Sequence, residues 1–157
     1  MIEPLLYAAA IGSALVAGIF YGFSVIVMRG FARIDAAEAT RAMQAINVVV
    51  LNAWFFSAFF GTALLAIAAT IYAVTIGTGP AEIATWIASA LYLFGCIGVT
   101  IAGNVPLNDR LANATPGDEA ATKLWAHYLV RWTTLNHIRT AASLLAAIGY
   151  LLALTIG

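Results

Sequence analysis

The side chains best suited to binding a small molecule in this chain are amides, aromatic rings and a guanidinium that share one helical face. Tyr128, Trp132, Asn136 and Arg139 follow one another at spacings of i, i+4, i+8 and i+11. Residues at these spacings lie on one side of an α-helix. Indole and phenol rings beside amides suit a flat aromatic or phenolic ligand. We therefore expect this stripe to line a binding pocket.

More amides, and a second arginine, occur in two other segments at about the same predicted depth. These residues are Gln44, Asn47, Asn104, Asn108 and Arg110. A buried amide is unfavourable unless it is hydrogen-bonded, so such a layer bonds either to itself or to a ligand. The structural alternative is that the amides join membrane helices and that Trp132 marks the membrane interface. The aromatic run 54–60 is expected to pack against helices or lipid.

His137 is the side chain in this region that titrates near neutral pH. The other histidine, His127, lies on the same predicted helix but about 80° away around its axis, which suits chelation poorly. The sequence contains no His-Glu-x-x-His or Glu-x-x-His pair and no glycine-rich phosphate loop after a strand. We therefore expect no metal site.

The composition indicates the environment in which these side chains must be positioned. Of 157 residues, 63% are hydrophobic and 9% are charged, whereas soluble domains are about 25% charged. All seven Arg and Lys residues fall within 29–41 and 110–139, and long uncharged stretches separate them. Because a membrane crossing needs about 20 mostly apolar residues, the pattern predicts four crossings in a lipid bilayer. The net charge of zero gives no support for nucleic-acid binding.

The second predicted helix is much longer than a membrane crossing. Asp35 followed by Glu38 resembles a capping box and predicts its start. No proline follows before Ile76, and Thr78-Gly79-Pro80 predicts the next turn. A helix over 36–76 would be roughly 60 Å long, about twice the thickness of the hydrocarbon core. Its first turns are therefore expected beyond the membrane, on the cytoplasmic side.

Prolines predict the remaining boundaries. Pro106 predicts a break or a kink after the third helix, and Thr115 followed by Pro116 predicts the start of a long fourth helix. We therefore predict an all-α, membrane-spanning, up-down four-helix bundle, with helices two and four extended on the cytoplasmic side. It forms a single domain over residues 1–157, with helices over about 4–28, 36–76, 81–103 and 116–156.

The charge pattern also predicts an orientation. Short cytoplasmic loops collect Lys and Arg, so both basic groups are expected in the cytoplasm and both termini outside, in a bacterial inner membrane. The N-terminal Met-Ile-Glu-Pro contains no basic residue, so no cleaved signal peptide is expected. A lone Cys96 excludes an intrachain disulfide. Gly18 and Gly22 form a GxxxG motif, which favours close helix contacts within the chain or in a homo-oligomer.

Several segments together resemble the anthrone oxygenase-like family of small integral membrane proteins. They are Gly22-Phe23-Ser24, the sequence Ala-Met-Gln-Ala-Ile-Asn over 42–47, Asn104-Val-Pro-Leu-Asn108, and the Trp-x-x-x-Asn-x-x-Arg pattern over 132–139. The resemblance covers nearly the whole chain in the same order. It implies oxidation of an anthrone, or of a related phenolic or quinone-like molecule, by dioxygen, without an evident metal or flavin. No cofactor is therefore expected.

The resemblance also suggests roles for the polar residues. His137 or Asp109 would act as the base, and Asn104, Asn108, Asn136 and Arg139 would hold ligand oxygens. Gln44 and Asn47 would complete the polar ring. A non-catalytic protein that binds or carries a lipophilic aromatic molecule, or a partner subunit, is the alternative. A transporter is least favoured, because no acidic residue lies at a predicted helix centre.

Overall fold

Four apolar helices of the chain are long enough to cross a membrane, and a fifth, shorter helix lies between the first two. The computed structural model describes residues 2–157. The helices are α1 (Glu3–Phe31), α2 (Ala36–Val49), α3 (Ala53–Ile76), α4 (Pro80–Ala112) and α5 (Glu119–Ile156). Helices α1, α3, α4 and α5 have the length and hydropathy of membrane spans, which confirms the predicted all-α, membrane-spanning bundle.

The predicted continuous helix over 36–76 is wrong, because the chain leaves the helix between α2 and α3. Asn52 adopts an extended conformation (φ −126°, ψ 161°), and its Oδ1 accepts a hydrogen bond from the Phe55 backbone N–H at 3.0 Å. Its Nδ2 donates to the Val49 carbonyl at 2.8 Å. An asparagine side chain thus competes with the helical backbone bonds and begins a new helix. The preceding β-branched residues are also weak helix formers.

Of the two outcomes predicted at Pro106, a break or a kink, the break does not occur, because the helix continues through the proline. Helix α4 continues to Ala112, and wider π-helical turns over Leu91–Gly98 and Thr100–Asn104 precede the proline. The Val105 N–H donates to the Thr100 carbonyl, five residues back. Pro106 then occupies the second position of the α-helical segment Val105–Ala112, where a missing N–H matters least. The wider π-helical turn thereby allows the helix to continue past the proline.

Two other helix ends differ from the predictions. Helix α5 begins at Glu119, because Gly117 has a left-handed backbone (φ +106°) and Asp118 is extended. Thr115 therefore does not cap this helix. Helix α1 passes through a π-helical turn at Phe23–Val27 and continues to Phe31, beyond the predicted end at Met28.

The buried side chains form two clusters at different depths. The membrane core is built mainly from small residues of α1, α3, α4 and α5, with a few aromatic rings among them. The interface core joins α2 to α1, α4 and α5 and consists mainly of large side chains. Its buried residues are Met28, Ala39, Met43, Leu107, Leu111, Trp125, Tyr128 and Trp132. Small residues let membrane helices approach closely, so the membrane core itself leaves little space for a ligand.

Glycine mediates the close approach of α4 and α5. A Cβ added at Gly149 would lie 2.9 Å from the Ala88 Cβ, which is too short for an ordinary contact. Gly18 and Gly22 instead have open space beside them. The GxxxG motif therefore does not pack within the chain, and its use between copies of the chain stays a prediction.

We predict that Gly149→Val destabilises the bundle by about 1–3 kcal/mol, because the added side chain forces α4 and α5 apart. Gly18→Val introduces the same side chain into α1 facing open space and should change stability by less than about 0.5 kcal/mol. The measurement is unfolding by sodium dodecyl sulfate in mixed micelles, followed by circular dichroism. Equal stability of the two variants would contradict this packing.

Candidate functional site

A cavity of about 290 Å³ opens where the second membrane crossing gives way to α2. We call it the aromatic cavity. All five helices contribute to its wall. It is lined by Ile19, Phe20, Phe23, Met43, Ile46, Asn47, Val50, Leu51, Phe55, Phe56, Phe59, Phe60, Thr100, Ile101, Val105, Asn108, Trp132 and Arg139. Because the lining includes residues on both sides of the helix break at Asn52, the break and the cavity coincide.

Aromatic rings form much of this wall. Phe55 and Phe59 stack with ring centroids 5.4 Å apart, and Phe20 packs edge-on to Phe59 at 6.2 Å. On another side, Phe23 lies 6.0 Å from Trp132. The arrangement offers apolar surfaces to a flat, lipophilic molecule.

Arg139 is the charged side chain of the cavity wall. It is only 4% exposed, and its guanidinium carbon lies 4.0 Å from the Phe20 ring centroid and 5.1 Å from that of Trp132. Its Nη1 donates to the Thr100 hydroxyl at 3.2 Å, and its Nη2 donates to the Asn136 Oδ1 at 2.5 Å. These contacts hold the guanidinium in one place.

No carboxylate balances this buried charge among residues 2–157. The ion pair in this part of the chain joins Lys123 to Glu119, both exposed on the surface of α5. A buried, unpaired cation is unfavourable by several kcal/mol, and cation–π contacts recover only part of that. An anionic ligand would complete the site.

Two buried donors on the cavity wall also lack partners within the described residues. They are the Nε of Arg139 and the Nδ2 of Asn47. A buried N–H without an acceptor costs about 1–3 kcal/mol. A negatively charged ligand oxygen would satisfy the charge of Arg139, and the Asn47 amide, which also lies close to the Tyr128 hydroxyl, is the nearest candidate for a second donor on the cavity wall.

Asn136 positions Arg139 from behind the cavity wall. Its Nδ2 donates to the Phe20 carbonyl at 2.6 Å and to the Ser24 hydroxyl at 2.7 Å, both on α1. Its Oδ1 accepts from the Arg139 guanidinium. One fully buried amide thus ties α5 to α1 and also orients the charged group.

Asn108 has the corresponding role for the aromatic stripe of α5. Its Oδ1 accepts hydrogen bonds from the Tyr128 hydroxyl at 2.7 Å and from the Trp132 indole N–H at 2.9 Å. The rings of Tyr128 and Trp132 stack with centroids 6.0 Å apart. Asn104 donates to the Trp132 carbonyl at 3.2 Å and does not line the cavity. The amides of α4 therefore fix the orientation of the Trp132 indole, which lines the aromatic cavity.

Four residues predicted for the site lie elsewhere. Asp109 and Arg110 are exposed on α4, and His137 is exposed in a separate shallow groove between α1 and α5. Gln44 instead donates to the carbonyls of Leu111 and Ala114 at 2.8 and 2.9 Å, which completes the C-terminal end of α4. The prediction that these side chains face the pocket is wrong. Asp109, Arg110 and His137 lie on faces of α4 and α5 other than those that carry Asn108 and Arg139, and Gln44 is held at the end of α4 by its hydrogen bonds.

The sequence interpretation missed much of the aromatic wall. Phe20 and Thr100 come from predicted membrane helices without a distinguishing pattern, and Phe23 belongs to the Gly22-Phe23-Ser24 segment, to which no role in the site was assigned. The run expected only to pack or to contact lipid provides Phe55, Phe56, Phe59 and Phe60 to the cavity. Their spacing of i, i+1, i+4 and i+5 places them on one helix face, which was the available signal.

No metal cluster forms among residues 2–157, since no three His, Cys, Asp or Glu side chains converge. Comparison with known proteins adds the family. The model of a family described as anthrone oxygenase matches residues 51–149. This range includes Asn108, Trp132 and Arg139 but not Asn47. No curated protein and no solved structure matches the chain significantly.

We predict that Asn136→Ala destabilises the protein by about 2–3 kcal/mol, because it leaves the guanidinium and a backbone carbonyl short of partners in a dry interior. Asn113→Ala is the matched control. The Asn113 amide donates to the Asp109 carbonyl at 2.8 Å on the exposed end of α4, so its loss should cost less than about 1 kcal/mol. The detergent unfolding assay compares the two variants. An unchanged Asn136→Ala midpoint would contradict the role of this amide.

Proposed function

The chain belongs to the anthrone oxygenase family, and we propose that it uses dioxygen to oxidise a lipophilic phenolic or anthrone-like molecule bound in the aromatic cavity. The observation that carries this proposal is the buried guanidinium of Arg139, which lines an apolar cavity and has no carboxylate partner among residues 2–157. The family alone suggests an oxygenase. The substrate class and the roles of the residues are inferred from the cavity.

The shape and polarity of the cavity support a planar anionic substrate. Its volume of about 290 Å³ lies near the lower end for small-molecule pockets. A fused aromatic ring would lie against Phe20, Phe59 and Trp132. Its phenolate or enolate oxygen would face Arg139 and the free amide N–H of Asn47, in the manner of an oxyanion hole.

Stabilisation of the anion is the main chemical contribution that we assign to the protein. A nearby positive charge favours the ionised form of a weak acid. Loss of a proton from an anthrone gives a delocalised carbanion, which can transfer electrons to dioxygen. Formation of the carbon–oxygen bond gives a peroxide anion, and its protonation gives a hydroperoxide. Loss of water then leaves a carbonyl, so that CH₂ and O₂ become C=O and H₂O.

The route of the proton differs from the one expected from the sequence. His137 and Asp109 do not line the cavity, and Arg139 is the ionisable side chain among the lining residues. We therefore assign the proton to water at the cavity, with Arg139 lowering the free energy of the anion that remains. Arg139 and Asn47 contact the reacting molecule in this scheme, whereas Asn136 and Asn108 are positioning residues.

The charge distribution supports an orientation for this chemistry. Both basic groups of the chain lie on the side of the bundle that holds α2 and the aromatic cavity. By the positive-inside rule we propose that this side is cytoplasmic, that both termini are outside, and that the membrane is a bacterial inner membrane.

A second candidate function is binding or transport of a lipophilic anion without turnover. The absence of a carboxylate or histidine from the lining residues favours it. The two functions share the contacts with Arg139 and differ in whether dioxygen is consumed.

For the oxygenase, we predict that Arg139→Gln lowers the rate of oxygen uptake with a dihydroxyanthrone by about 100-fold or more, because the oxyanion loses its cation. The measurement is oxygen consumption by protein in nanodiscs, corrected for the spontaneous reaction. Arg110→Gln is the matched control, since the same change occurs on the exposed surface of α4, and His137→Ala and Asp109→Asn should also keep full activity. Normal uptake by Arg139→Gln would refute the proposal, whereas tight binding without uptake by the native protein would favour the carrier.

The ionisation of a stable ligand that resembles the product should measure the electrostatic effect of Arg139 directly. We predict that a bound dihydroxyanthraquinone ionises at a pH about 1–3 units lower than in empty nanodiscs, because the guanidinium stabilises its phenolate. The phenolate band in the visible spectrum measures the shift, which Arg139→Gln should remove and Arg110→Gln should preserve. A bound ligand that ionises at its ordinary pH would show that its oxygen does not face Arg139.

A further inference from the structure

The aromatic cavity has an opening whose rim is entirely apolar. Phe56 and Phe60 of α3 and Ile101 and Val105 of α4 line the cavity and are also 38%, 47%, 61% and 40% exposed. Side chains that belong to a cavity wall and also reach the outer surface mark its mouth. These four residues lie in helices long and apolar enough to span a membrane, whereas Leu51, which also lines the cavity and is 65% exposed, lies in the link between α2 and α3. The mouth therefore extends from this link along the membrane-spanning parts of α3 and α4, where its rim is suited to contact with lipid.

The packing of the helices bounds the opening. Helix α3 packs against the π-helical segment Leu91–Gly98 of α4 but makes no comparable contact with Thr100–Asn104 or Val105–Ala112, within the residues that the structure describes. Further along, α2 packs against Val105–Ala112. A gap between α3 and α4 therefore remains, closed by helix contacts at both ends. The gap results from the helix break at Asn52, because α2 packs against Val105–Ala112 of α4 whereas α3 does not.

The cavity wall combines polar residues with an apolar rim. Arg139 and Asn47 supply polar side chains, whereas the rim residues of α3 and α4 offer no charged or hydrogen-bonding side chain. An amphiphilic molecule in the bilayer could insert its anionic end first and leave its apolar part near the rim.

We infer that the gap between α3 and α4 is a lateral portal through which the aromatic cavity takes a lipophilic anion directly from the bilayer. The identity of that anion rests on the proposed function, but the existence of the portal does not. Chemically, the portal selects for molecules that partition into membranes, and Arg139 selects among them for those with an ionised oxygen.

Labelling with a membrane-dissolved carbene tests the portal without any substrate. The probe is trifluoromethyl phenyldiazirine, photolysed in nanodiscs and located by mass spectrometry. Phe59 lines the cavity at 3% exposure, and Val16 is a fully buried residue of the membrane core that does not line it. We expect Phe59 to be labelled about fivefold or more above Val16, because small apolar molecules fill open apolar cavities.

Matched variants show whether the label enters through the gap. Ile101→Trp narrows the rim and should reduce labelling of Phe59 to the level of Val16. Ile87→Trp places the same side chain on an exposed, lipid-facing position of α4 away from the cavity and should leave labelling unchanged. Labelling of Phe59 no stronger than that of Val16, an equal effect of both variants, or equal labelling by a membrane-impermeant diazirine would each overturn the portal.

Binding kinetics separate a failure of the portal from a failure of the proposed function. With dihydroxyanthraquinone as the probe, Ile101→Trp should slow association and dissociation alike, by about tenfold each. Unchanged rates would also overturn the portal. Absence of binding to the native protein would refute the proposed ligand class, and the labelling result would then decide the portal by itself.

Discussion

The guanidinium of Arg139 is the constraint on which the rest of the site depends. It lies inside a membrane bundle, and within residues 2–157 no carboxylate pairs with it. The fold retains the charge by surrounding it with weaker partners: the Asn136 amide, the Thr100 hydroxyl and the faces of Phe20 and Trp132. Besides Asn136 and Trp132 of α5 itself, these partners include Phe20 of α1 and Thr100 of α4, so the group that is hardest to bury also joins α5 to both helices.

The cavity follows from a contrast between the two cores. Small residues pack the membrane core tightly, and large aromatic residues fill the interface core. Between them, the second crossing breaks at Asn52, and α2 packs against α4 where α3 does not. A continuous helix could not pack against this part of α4, as α2 does, and also lie apart from it, as α3 does. The break therefore supplies both the space for a ligand and the gap beside it.

Local pattern was sufficient to predict the bundle and the stripe of α5. Four apolar runs predicted the crossings, and the spacing of Tyr128, Trp132, Asn136 and Arg139 predicted a shared face, which is buried as a unit. The missed features depend on tertiary context. His137 follows Asn136 in sequence but lies about 100° further around the helix. To predict which of the two faces the bundle interior, one must know where α1 packs against α5. Likewise, Pro106 remains helical because of a π-helical turn with no sequence signature.

The same anion-stabilising site is compatible with both an enzyme and a carrier, and the ligand determines which one results. A guanidinium that stabilises an oxyanion lowers the free energy of any acidic lipophile in the cavity. Most phenolates would only be held in the cavity and would not react. For a molecule whose anion places electron density on an oxidisable carbon, the same stabilisation raises the concentration of the species that reduces dioxygen. On this argument, catalysis requires no added residue beyond those that bind, since the reactivity belongs to the substrate and the selection belongs to Arg139.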